Sequence, residues 1–401
     1  MIKQKYQYVQ ERGIMGPGDL GISRKEFSSR IEKIRSKMKS EQVDLLIVQG
    51  DEFNQGYVRY LSNYRPSLEQ ALVVMAGDMD PILLAGPECK ILAFHTSVIE
   101  DIRVCSDVAI PGEEYPHEEM VSFKEVLDEV EKNCTVKRVG VADLNLIPHF
   151  LMDNVAGVCR DKEIINAAPM IDSLRMIKSG AELQIMTRAY EMGIAGINKG
   201  LEVLQAGKTE SQITGEMAYP VYQMGADQLS HYFCTASGKN SSPALNFPSG
   251  DKVIEDGDLV ILDIGGVYKG YFSDIATTVV AGKKDNEKQR VLDTAKRALD
   301  AALKAVRPGV PGKVIDLAAR DITTEAGYGK NHLYGCCHGV GLQHCEPPFF
   351  GPDTGQLVRE NMLFNIDLGL FGFDFGGVRL ETGVIVTGDG CRTFEVVAGK
   401  F

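Results

Sequence analysis

The sequence predicts two domains: an α/β domain with a mixed sheet over residues 1–168, and an α+β domain over residues 169–401. The length of 401 residues favours two domains over one. In the first half, apolar runs of strand length alternate with helical patterns, which indicates an α/β domain. In the second half, residues 201–213 are weakly similar to residues 303–315, which indicates an internal duplication with pseudo-twofold symmetry.

The first domain begins with the pattern of a capping box. Ser23 precedes Glu26 by three residues and predicts a helix that runs to about Lys39. Short apolar runs bounded by turn residues predict strands. The remaining predicted elements are a strand at 44–48, a hairpin of 71–75 with 81–85, a helix at 123–132 and a strand at 138–142.

The boundary between the domains is expected between residues 165 and 180. Just after it, Ser179 and Glu182 form a second capping box and predict a long helix to about Leu204. A helix, a glycine stop and a second helix then occur twice, once around Gly207 and once around Gly309. Chance similarity is the alternative, because this arrangement is common. A true duplication would bring two halves together around a central cleft.

Composition and charge exclude several classes of protein. The chain has 43 Lys and Arg against 55 Asp and Glu, a formal charge of −12, so it lacks the basic surface that nucleic acids and anionic membranes require. Nine cysteines, an odd number spread along the chain, predict reduced thiols and no disulfide framework. Residues 1–12 contain no apolar signal region, and no run approaches 18 apolar residues. We therefore expect a cytoplasmic enzyme without a membrane span.

Two carboxylates occupy positions that the strand pattern would bury. Asp263 lies inside an apolar strand, and Asp274 opens the returning strand after a glycine-containing turn. Burying both without a counter-charge would be costly. Neither strand core contains Lys or Arg, so a metal ion is the simplest counter-charge. The alternative is that Asp274 caps a turn and Asp263 accepts backbone hydrogen bonds.

One histidine and two more acids extend this set. His338 is followed by the Gly-Val-Gly run at 339–341, whose glycines allow a ligand to approach closely, although a lone histidine can also be structural. Asp367 and Glu381 each interrupt an apolar strand pattern. Arg379 shares a strand face with Glu381, so it either neutralises that acid or faces a substrate carboxylate while Glu381 bridges metals. Four carboxylates balance two divalent ions, and oxygen-rich ligation with one imidazole suits Mn²⁺, Co²⁺, Fe²⁺ or Zn²⁺.

In their order and context these residues resemble the motif of the methionine aminopeptidase, prolidase and creatinase superfamily, which has the pita-bread fold. Ten residues separate Asp263 from Asp274, and the later acids lie in Asn-Ile-Asp-Leu-Gly and Val-Arg-Leu-Glu runs. Residues 1–165 resemble the N-terminal domain of the two-domain Xaa-Pro peptidase and creatinase-like branch. The resemblance implies two divalent metal ions (Mn, Co, Zn or Fe) and places Arg379 near a substrate carboxylate. The metal ligands that it implies are Asp263, Asp274, His338, Asp367 and Glu381.

Two departures from the superfamily concern catalysis directly. Asp367 stands where the superfamily has a Glu that is both ligand and proton shuttle, and its carboxylate reaches about 1.5 Å less far. Catalysis is sensitive to about 1 Å of misplacement. A catalytic His of the superfamily falls at Leu245 or Asn246, and His231 upstream is the residue that we expect to replace it.

Two more departures surround the His338 segment. Another superfamily His falls at Cys345, one position after His344, and a one-residue shift turns a strand side chain to the opposite face unless the strand is irregular. Tyr334 replaces a further His, and its phenol can donate a hydrogen bond to an oxyanion or act as an acid or base. The candidate catalytic residues are therefore Asp367, His231, His344 and Tyr334.

Three functions follow from the resemblance and its departures. The first is a dinuclear-metal hydrolase similar to Xaa-Pro dipeptidases and aminopeptidases, which would cleave the C–N bond of a small peptide substrate through a metal-bound hydroxide. The second is a non-peptidase hydrolase or lyase on the same fold, similar to creatinase, ectoine hydrolase or a sulfonium-propionate lyase. The third is a degenerate binding protein, which would have to bury four acids without a metal.

The resemblance also implies a homodimer, in which the N-terminal domain of one subunit lies near the cleft of its partner. Tyr64 and Arg65 are the candidate substrate-binding residues that such a dimer would project, and a solvated loop arginine is the alternative.

Overall fold

The computed structural model describes residues 21–233, 235–283 and 285–394. The chain forms two compact units, Met1–Arg175 and Met176–Phe401. The predictions for residues 1–12 and for Cys234 lie outside the described residues. The other cysteines are free thiols, as their scattered positions predicted. In the described part of the chain, no helix has both the length and the apolar character that crossing a membrane would require.

The first unit is built on a mixed sheet of six strands. The strands are β1 (Leu45–Gly50), β2 (Ala71–Ala76), β3 (Ile82–Ala85), β4 (Asp101–Val104), β5 (Arg138–Ala142) and β6 (Glu163–Asn166). Their order in the sheet is β4-β3-β2-β1-β5-β6. Strand β1 pairs antiparallel with β2 and parallel with β5, which makes the sheet mixed, as the sequence predicted.

Helices accompany this sheet at both predicted places, and four further helices lie where the sequence analysis predicted none. They are α1 (Arg24–Ser40), α2 (Gly56–Ser62), α3 (Lys90–Thr96), α4 (Phe123–Asn133), α5 (His149–Val158) and α6 (Ala168–Arg175), with a 3-10 turn at Ser106–Val108. Helix α1 begins after Ser23, whose hydroxyl accepts the Glu26 N–H at 3.2 Å. The apolar faces of α4 and α5 cover the sheet and form one core with β1, β2 and β5.

The second unit contains four α-helices and a larger, curved set of strands within its described residues. The helices are α7 (Gly180–Val203), α8 (Glu210–Gln223), α9 (Asn286–Ala305) and α10 (Lys313–Glu325), with 3-10 turns at Gly238–Ser241 and Gly329–Asn331. The strands are β7 (Gln228–Leu229), β8 (Thr235–Ser237), β9 (Leu259–Ile264), β10 (Gly266–Tyr268), β11 (Tyr271–Phe272), β12 (Ile275–Val280), β13 (Cys337–Gly339), β14 (Glu346–Phe350), β15 (Leu363–Phe373), β16 (Gly376–Val386) and β17 (Cys391–Thr393).

The main sheet of this unit joins two antiparallel hairpins side by side. Its order is β14-β13-β15-β16-β12-β9-β8, and β17 pairs with β16. Strands β9 and β12 form one hairpin, and β15 and β16 form the other. The hairpins meet where Ala276 of β12 pairs with Glu381 of β16. The centre of the sheet is therefore the junction between two similar halves.

The predicted duplication is visible in the helices that lie against this sheet. Helix α7 starts at the predicted capping box and ends before Gly207, which has a φ of +95°, and α9 ends before Gly309, which has a φ of +89°. Each glycine lies in the loop just beyond its helix, in a left-handed conformation that favours glycine. The Gly207 N–H donates to the Ile254 carbonyl at 2.9 Å, and the Gly309 N–H donates to the Val358 carbonyl at 2.8 Å. The two halves thus repeat a backbone contact as well as a sequence pattern.

Candidate metal centre

Strand pairing places three acids in one row across the middle of the sheet. Asp263 of β9 pairs with Ala276 of β12, Ala276 pairs with Glu381 of β16, and Glu381 pairs with Asp367 of β15. All three carboxylates are buried. Asp274 immediately precedes β12 and is also buried. Because each half contributes two of these four acids, the cluster lies at the junction of the duplication.

Strand β13 adds the predicted histidine at the edge of this row. His338 pairs with Asn365 of β15, two residues before Asp367. Its Nε2 lies 3.0 Å from Oε1 of Glu381 and 3.9 Å from Oδ2 of Asp274. The structure therefore brings together the five residues predicted as metal ligands.

Two further imidazoles reach the same carboxylates. His231, which follows β7, has its Nε2 3.2 Å from both Asp263 Oδ1 and Asp274 Oδ1. His344 has its Nε2 2.5 Å from Oδ2 of Asp274. Both residues were predicted as catalytic candidates, and the structure places both beside Asp274.

His344 lies in the bend between β13 and β14, outside both strands. The strand alternation that would turn its side chain to the opposite face therefore does not apply to it. Glu346 at the start of β14 anchors this segment, because its carboxylate accepts a hydrogen bond from the Gln343 N–H and contacts the Lys178 ammonium at 2.6 Å. A Cβ atom at Gly341 would lie 2.2 Å from the Glu346 carboxylate. The glycine thus serves the close approach of Glu346 to the backbone.

Arg379 lies between two of the acids and is almost fully buried. Its Nη1 donates to Asp263 Oδ2 at 2.7 Å, and its Nε lies 3.3 Å from Asp367 Oδ1. Its Nη2 donates to the Ala244 carbonyl at 3.0 Å and to the Tyr334 hydroxyl at 3.3 Å. The ion pair considered from sequence was with Glu381, but the acids in direct contact with this guanidinium are Asp263 and Asp367.

The predicted positions that differ from the superfamily lie around this arginine. The Tyr334 hydroxyl donates to Asp367 Oδ1 at 3.1 Å. Leu245 is exposed, and Asn246 donates to the Asn240 carbonyl at 2.9 Å. The segment 244–246, where the superfamily has its catalytic His, therefore contacts the site through the Ala244 carbonyl, which accepts a hydrogen bond from Arg379.

Tyr64 and Arg65 belong to the first unit. Tyr64 is fully buried, which is unlike the projecting side chain that the resemblance implies, whereas Arg65 is half-buried. A contact between Arg65 and a substrate stays a prediction.

Charges in the cluster shift the pKa values of its members strongly. Burial raises the pKa of Asp274, but the His344 and His231 rings oppose it and hold that pKa well below its usual range. Burial lowers the pKa of His344, but the Asp274 carboxylate outweighs it and raises the pKa to about 9. His231 behaves in the same way between its two acids, and its pKa lies well above the ordinary value. Without a metal, protonated rings neutralise the acids.

Glu381, Asp367 and the Tyr334 phenol have raised pKa values, so they hold their protons more readily than usual. Burial and the charges of Asp274 and Asp367 raise the pKa of Glu381 to about 8. Burial also raises the pKa of Asp367, although Arg379 opposes the shift. Burial and the Asp367 charge raise the pKa of Tyr334, so its phenol stays neutral and donates a hydrogen bond.

Asn365 is a member of the site that the sequence analysis did not single out. Its amide donates to Glu381 Oε1 and to the Asp274 carbonyl, both at 2.8 Å. The Tyr190 hydroxyl donates to its side-chain oxygen. Asn365 therefore orients Glu381. The sequence feature that could have identified Asn365 is its position in an apolar strand, two residues before Asp367, because side chains two residues apart in a strand share a face.

The residues of this cluster fit divalent metal ions. Asp263 Oδ1 is buried and has no hydrogen-bond partner within the described residues, as expected for an oxygen that a cation would neutralise. Two sets of potential ligand atoms lie within 4.8 Å of one another: His231 with Asp274 and His344, and Asp274 with His338 and Glu381. Carboxylate and imidazole donors together suit Mn²⁺, Fe²⁺, Co²⁺ and Zn²⁺.

Comparisons with known proteins give the family. A sequence profile of the Creatinase/Prolidase N-terminal domain matches residues 30–177, and a profile of Metallopeptidase family M24 matches residues 184–388, which is more than half of the chain. The chain is 34% identical over 251 residues to an Xaa-Pro dipeptidase of Pyrococcus furiosus, covering 61% of this chain and 70% of that protein. It is 27% identical over 366 residues to the uncharacterised peptidase YqhT of Bacillus subtilis, covering 91% and 97% of the two chains.

A similar structure supports the same relationship. The prolidase of Pyrococcus horikoshii OT3 superposes with a TM-score of 0.79 at 25% identity, covering 91% of this chain and 97% of that one. The fold and the buried cluster of acids and histidines thus define a two-domain enzyme with a pita-bread second domain, and the predictions of superfamily and fold class are confirmed. The chain belongs to metallopeptidase family M24. The prediction of a metal-dependent hydrolase is confirmed at the level of this family.

Proposed function

We propose that this protein is a dinuclear-metal dipeptidase that hydrolyses the bond preceding proline in Xaa-Pro dipeptides. The observation that carries the proposal is the cluster that three buried acids, Asp263, Asp274 and Glu381, form with the half-buried His338 at the junction of the two halves. The Pyrococcus relatives described as Xaa-Pro dipeptidases and prolidase support the choice of substrate.

The residues of the cluster would have different roles in this reaction. Asp263, Asp274, His338 and Glu381 would hold the ions, with Asp367 as a further ligand. When bound, two divalent ions lower the pKa of a water so that it can attack a carbonyl, and they stabilise the resulting oxyanion. Asp367, whose carboxylate contacts Tyr334 and Arg379, would receive a proton during the reaction. Tyr334 keeps this carboxylate oriented through its 3.1 Å hydrogen bond.

Metal analysis combined with a dipeptide panel tests the proposal. Purified full-length protein, expressed with added Mn²⁺ and dialysed, is expected to hold close to two ions per chain and to prefer Xaa-Pro over other dipeptides. Asp274→Asn is expected to lower both metal affinity and activity by more than about 100-fold, because it removes a ligand and not merely a supporting group. His149→Ala is the control, since His149 is exposed and belongs to the other unit. Two bound ions without hydrolysis of any Xaa-Pro dipeptide would refute the peptidase assignment.

A non-peptidase reaction on the same fold is the second candidate, and a specific observation favours it. Arg379, the expected anchor for a substrate carboxylate, already contacts Asp263, Asp367, Tyr334 and the Ala244 carbonyl. Leu245 also occupies one of the two positions where the superfamily places a catalytic His. The same metal-loaded preparation should therefore be offered amidino, cyclic-amidine and sulfonium compounds. Turnover of one of these by protein that leaves every dipeptide intact would favour this candidate. A correctly folded chain that binds no metal would favour a binding protein.

The assembly is proposed to be a homodimer with Arg65 near the partner's cleft. Light scattering during gel filtration is expected to give twice the 43.9 kDa chain mass. A monomer that retains full activity would remove any role for Arg65 in a partner's site.

A further inference from the structure

We propose that His231 and His344 join Asp274 as ligands of one metal ion in this chain. This position is richer in imidazole than the five-residue ligand set implied by the sequence. The inference rests on the proposed function, because it concerns how the same centre holds its metals.

The spacing of the atoms around Asp274 supports this assignment. His231 Nε2 lies 3.2 Å from Oδ1 of Asp274, and His344 Nε2 lies 2.5 Å from Oδ2 of the same carboxylate. Neighbouring ligand atoms around an ion with bonds of about 2.1 Å are separated by about 3.0 to 3.4 Å. The His231 distance is close to those in a coordination shell, the His344 distance is that of a short hydrogen bond, and both rings direct a nitrogen at the Asp274 carboxylate. Asp274 also belongs to the second group, with His338 and Glu381.

Asp263 supplies one oxygen to the same position. Its Oδ1 is buried without a hydrogen-bond partner in the described residues and lies 3.2 Å from His231 Nε2. Its other oxygen, Oδ2, is engaged by the Arg379 guanidinium at 2.7 Å. Asp263 thus offers a single oxygen toward His231, which leaves the imidazoles to complete the shell.

Asp367 explains why additional ligands would be needed. Its Oδ1 contacts Tyr334 and Arg379, and among the described residues it joins neither group of closely spaced ligand atoms. A side chain that is one methylene shorter than Glu reaches about 1.5 Å less far. His231 and His344, which both contact Asp274, would supply ligand atoms in place of those that Asp367 does not bring to the cluster.

The His231 ring is held in place before any ion binds. It stacks on Phe233 with ring centroids 4.1 Å apart and an interplanar angle of 13°. Side chains whose rotamers are locked by packing make precise metal sites. Imidazole ligands suit Zn²⁺, Co²⁺ and Fe²⁺ better than Mn²⁺, so this position should favour the first three ions.

X-ray absorption at the zinc edge of the full-length protein, loaded with two Zn²⁺ per chain, tests the inference without relying on activity. Three imidazoles shared by two ions give an average of about 1.5 per zinc, whereas His338 alone gives about 0.5. A fitted average near 1.5 is the expected result. An average near 0.5 would overturn the inference and would leave the dinuclear hydrolase proposal standing.

Calorimetric titration of variants with Zn²⁺ locates the additional ligands. His344→Ala and His231→Leu are each expected to weaken one of two binding events by more than about 100-fold and to leave the other detectable. His149→Ala is the matched control and should bind as the wild type does. Two unchanged binding events in both variants would contradict the inference. Absence of any zinc binding by the wild type would instead refute the proposed function, and a variant that fails to fold leaves the absorption measurement decisive.

Discussion

Arg379 is the residue whose role depends most on whether metal is present. Its guanidinium contacts Asp263 and Asp367, and its side chain is almost entirely buried. A buried charge is stabilising only while its partners remain, and removing one partner leaves an uncompensated charge. In the metal-free protein Arg379 is therefore a structural counter-ion, whereas bound divalent ions would take over much of this neutralisation.

We expect Arg379→Met to destabilise the metal-free protein by about 3 to 5 kcal/mol and the metal-loaded protein by clearly less. Urea unfolding in a chelator and in saturating Zn²⁺ measures the two values. Arg392→Met, at an exposed position on β17, should change the free energy of unfolding by less than about 0.5 kcal/mol. An equal loss with and without metal would show that the ions do not share the role of this arginine.

His332 makes the free energy of unfolding depend on pH. Burial and the nearby Arg320 charge lower its pKa to about 4. The unfolded chain takes up a proton on this ring near pH 6.5, while the folded chain does not until about pH 4. The contribution of His332 to the free energy of unfolding is fully present above pH 6.5 and is lost as the pH falls from 6.5 toward 4.

Between pH 7 and pH 5 this difference amounts to about 2 kcal/mol of unfolding free energy. His332→Gln is expected to reduce the loss of stability over this interval by that amount, measured by urea unfolding in a chelator. His149→Gln, at an exposed site, should keep the wild-type dependence. Identical pH profiles for His332→Gln and the wild type would mean that the pKa of this ring is the same in the folded and unfolded chains.

At the scale of elements, the segment between β13 and β14 determines which histidine reaches the metals. His344 lies in the bend between these strands, where strand alternation does not set the direction of its side chain, and it contacts Asp274. Glu346 fixes this segment through Lys178, and both side chains are buried. The position of His344 thus depends on an ion pair whose lysine lies far away in the sequence.

Lys178→Met is expected to destabilise the protein by about 3 kcal/mol, because Glu346 would lose the cation that it contacts. The double variant Lys178→Met/Glu346→Leu should recover part of that loss, since apolar replacement of a buried pair is often tolerated. Chemical unfolding gives both values. A double variant that is less stable than the single one would show that Glu346 contributes mainly through its hydrogen bond with Gln343.

For the whole molecule, metal binding should stabilise one unit selectively. The potential ligands all lie in Met176–Phe401, on or beside strands from both halves of that unit. A ligand that binds only the folded state adds about 2.7 kcal/mol when its concentration is 100 times its Kd.

Hydrogen exchange followed by mass spectrometry measures this selectivity. Peptides from β9, β12, β15 and β16 are expected to gain protection on Zn²⁺ addition, while peptides from residues 21–175 keep their exchange rates. Asp274→Asn serves as the control in which the gain should disappear. Equal protection throughout both units would indicate an effect other than ligation at this site.

The sequence by itself determined the fold class and the residues that meet at the centre. Acids inside apolar strands are rare enough to mark Asp263, Asp367 and Glu381, and capping boxes and glycine stops marked the ends of α1, α7 and α9. These signals are local, so the chain alone carries them.

The tertiary structure decided which partner each side chain contacts. Arg379 was expected to neutralise Glu381 or to face a substrate, but pairing across four strands sets it against Asp263 and Asp367. The contacts of His344 and Asn365 likewise depend on a bend between two strands and on strands that lie far apart in the chain. Spacing along a sequence fixes the face of a strand, whereas the neighbour on that face is fixed only when the sheet assembles.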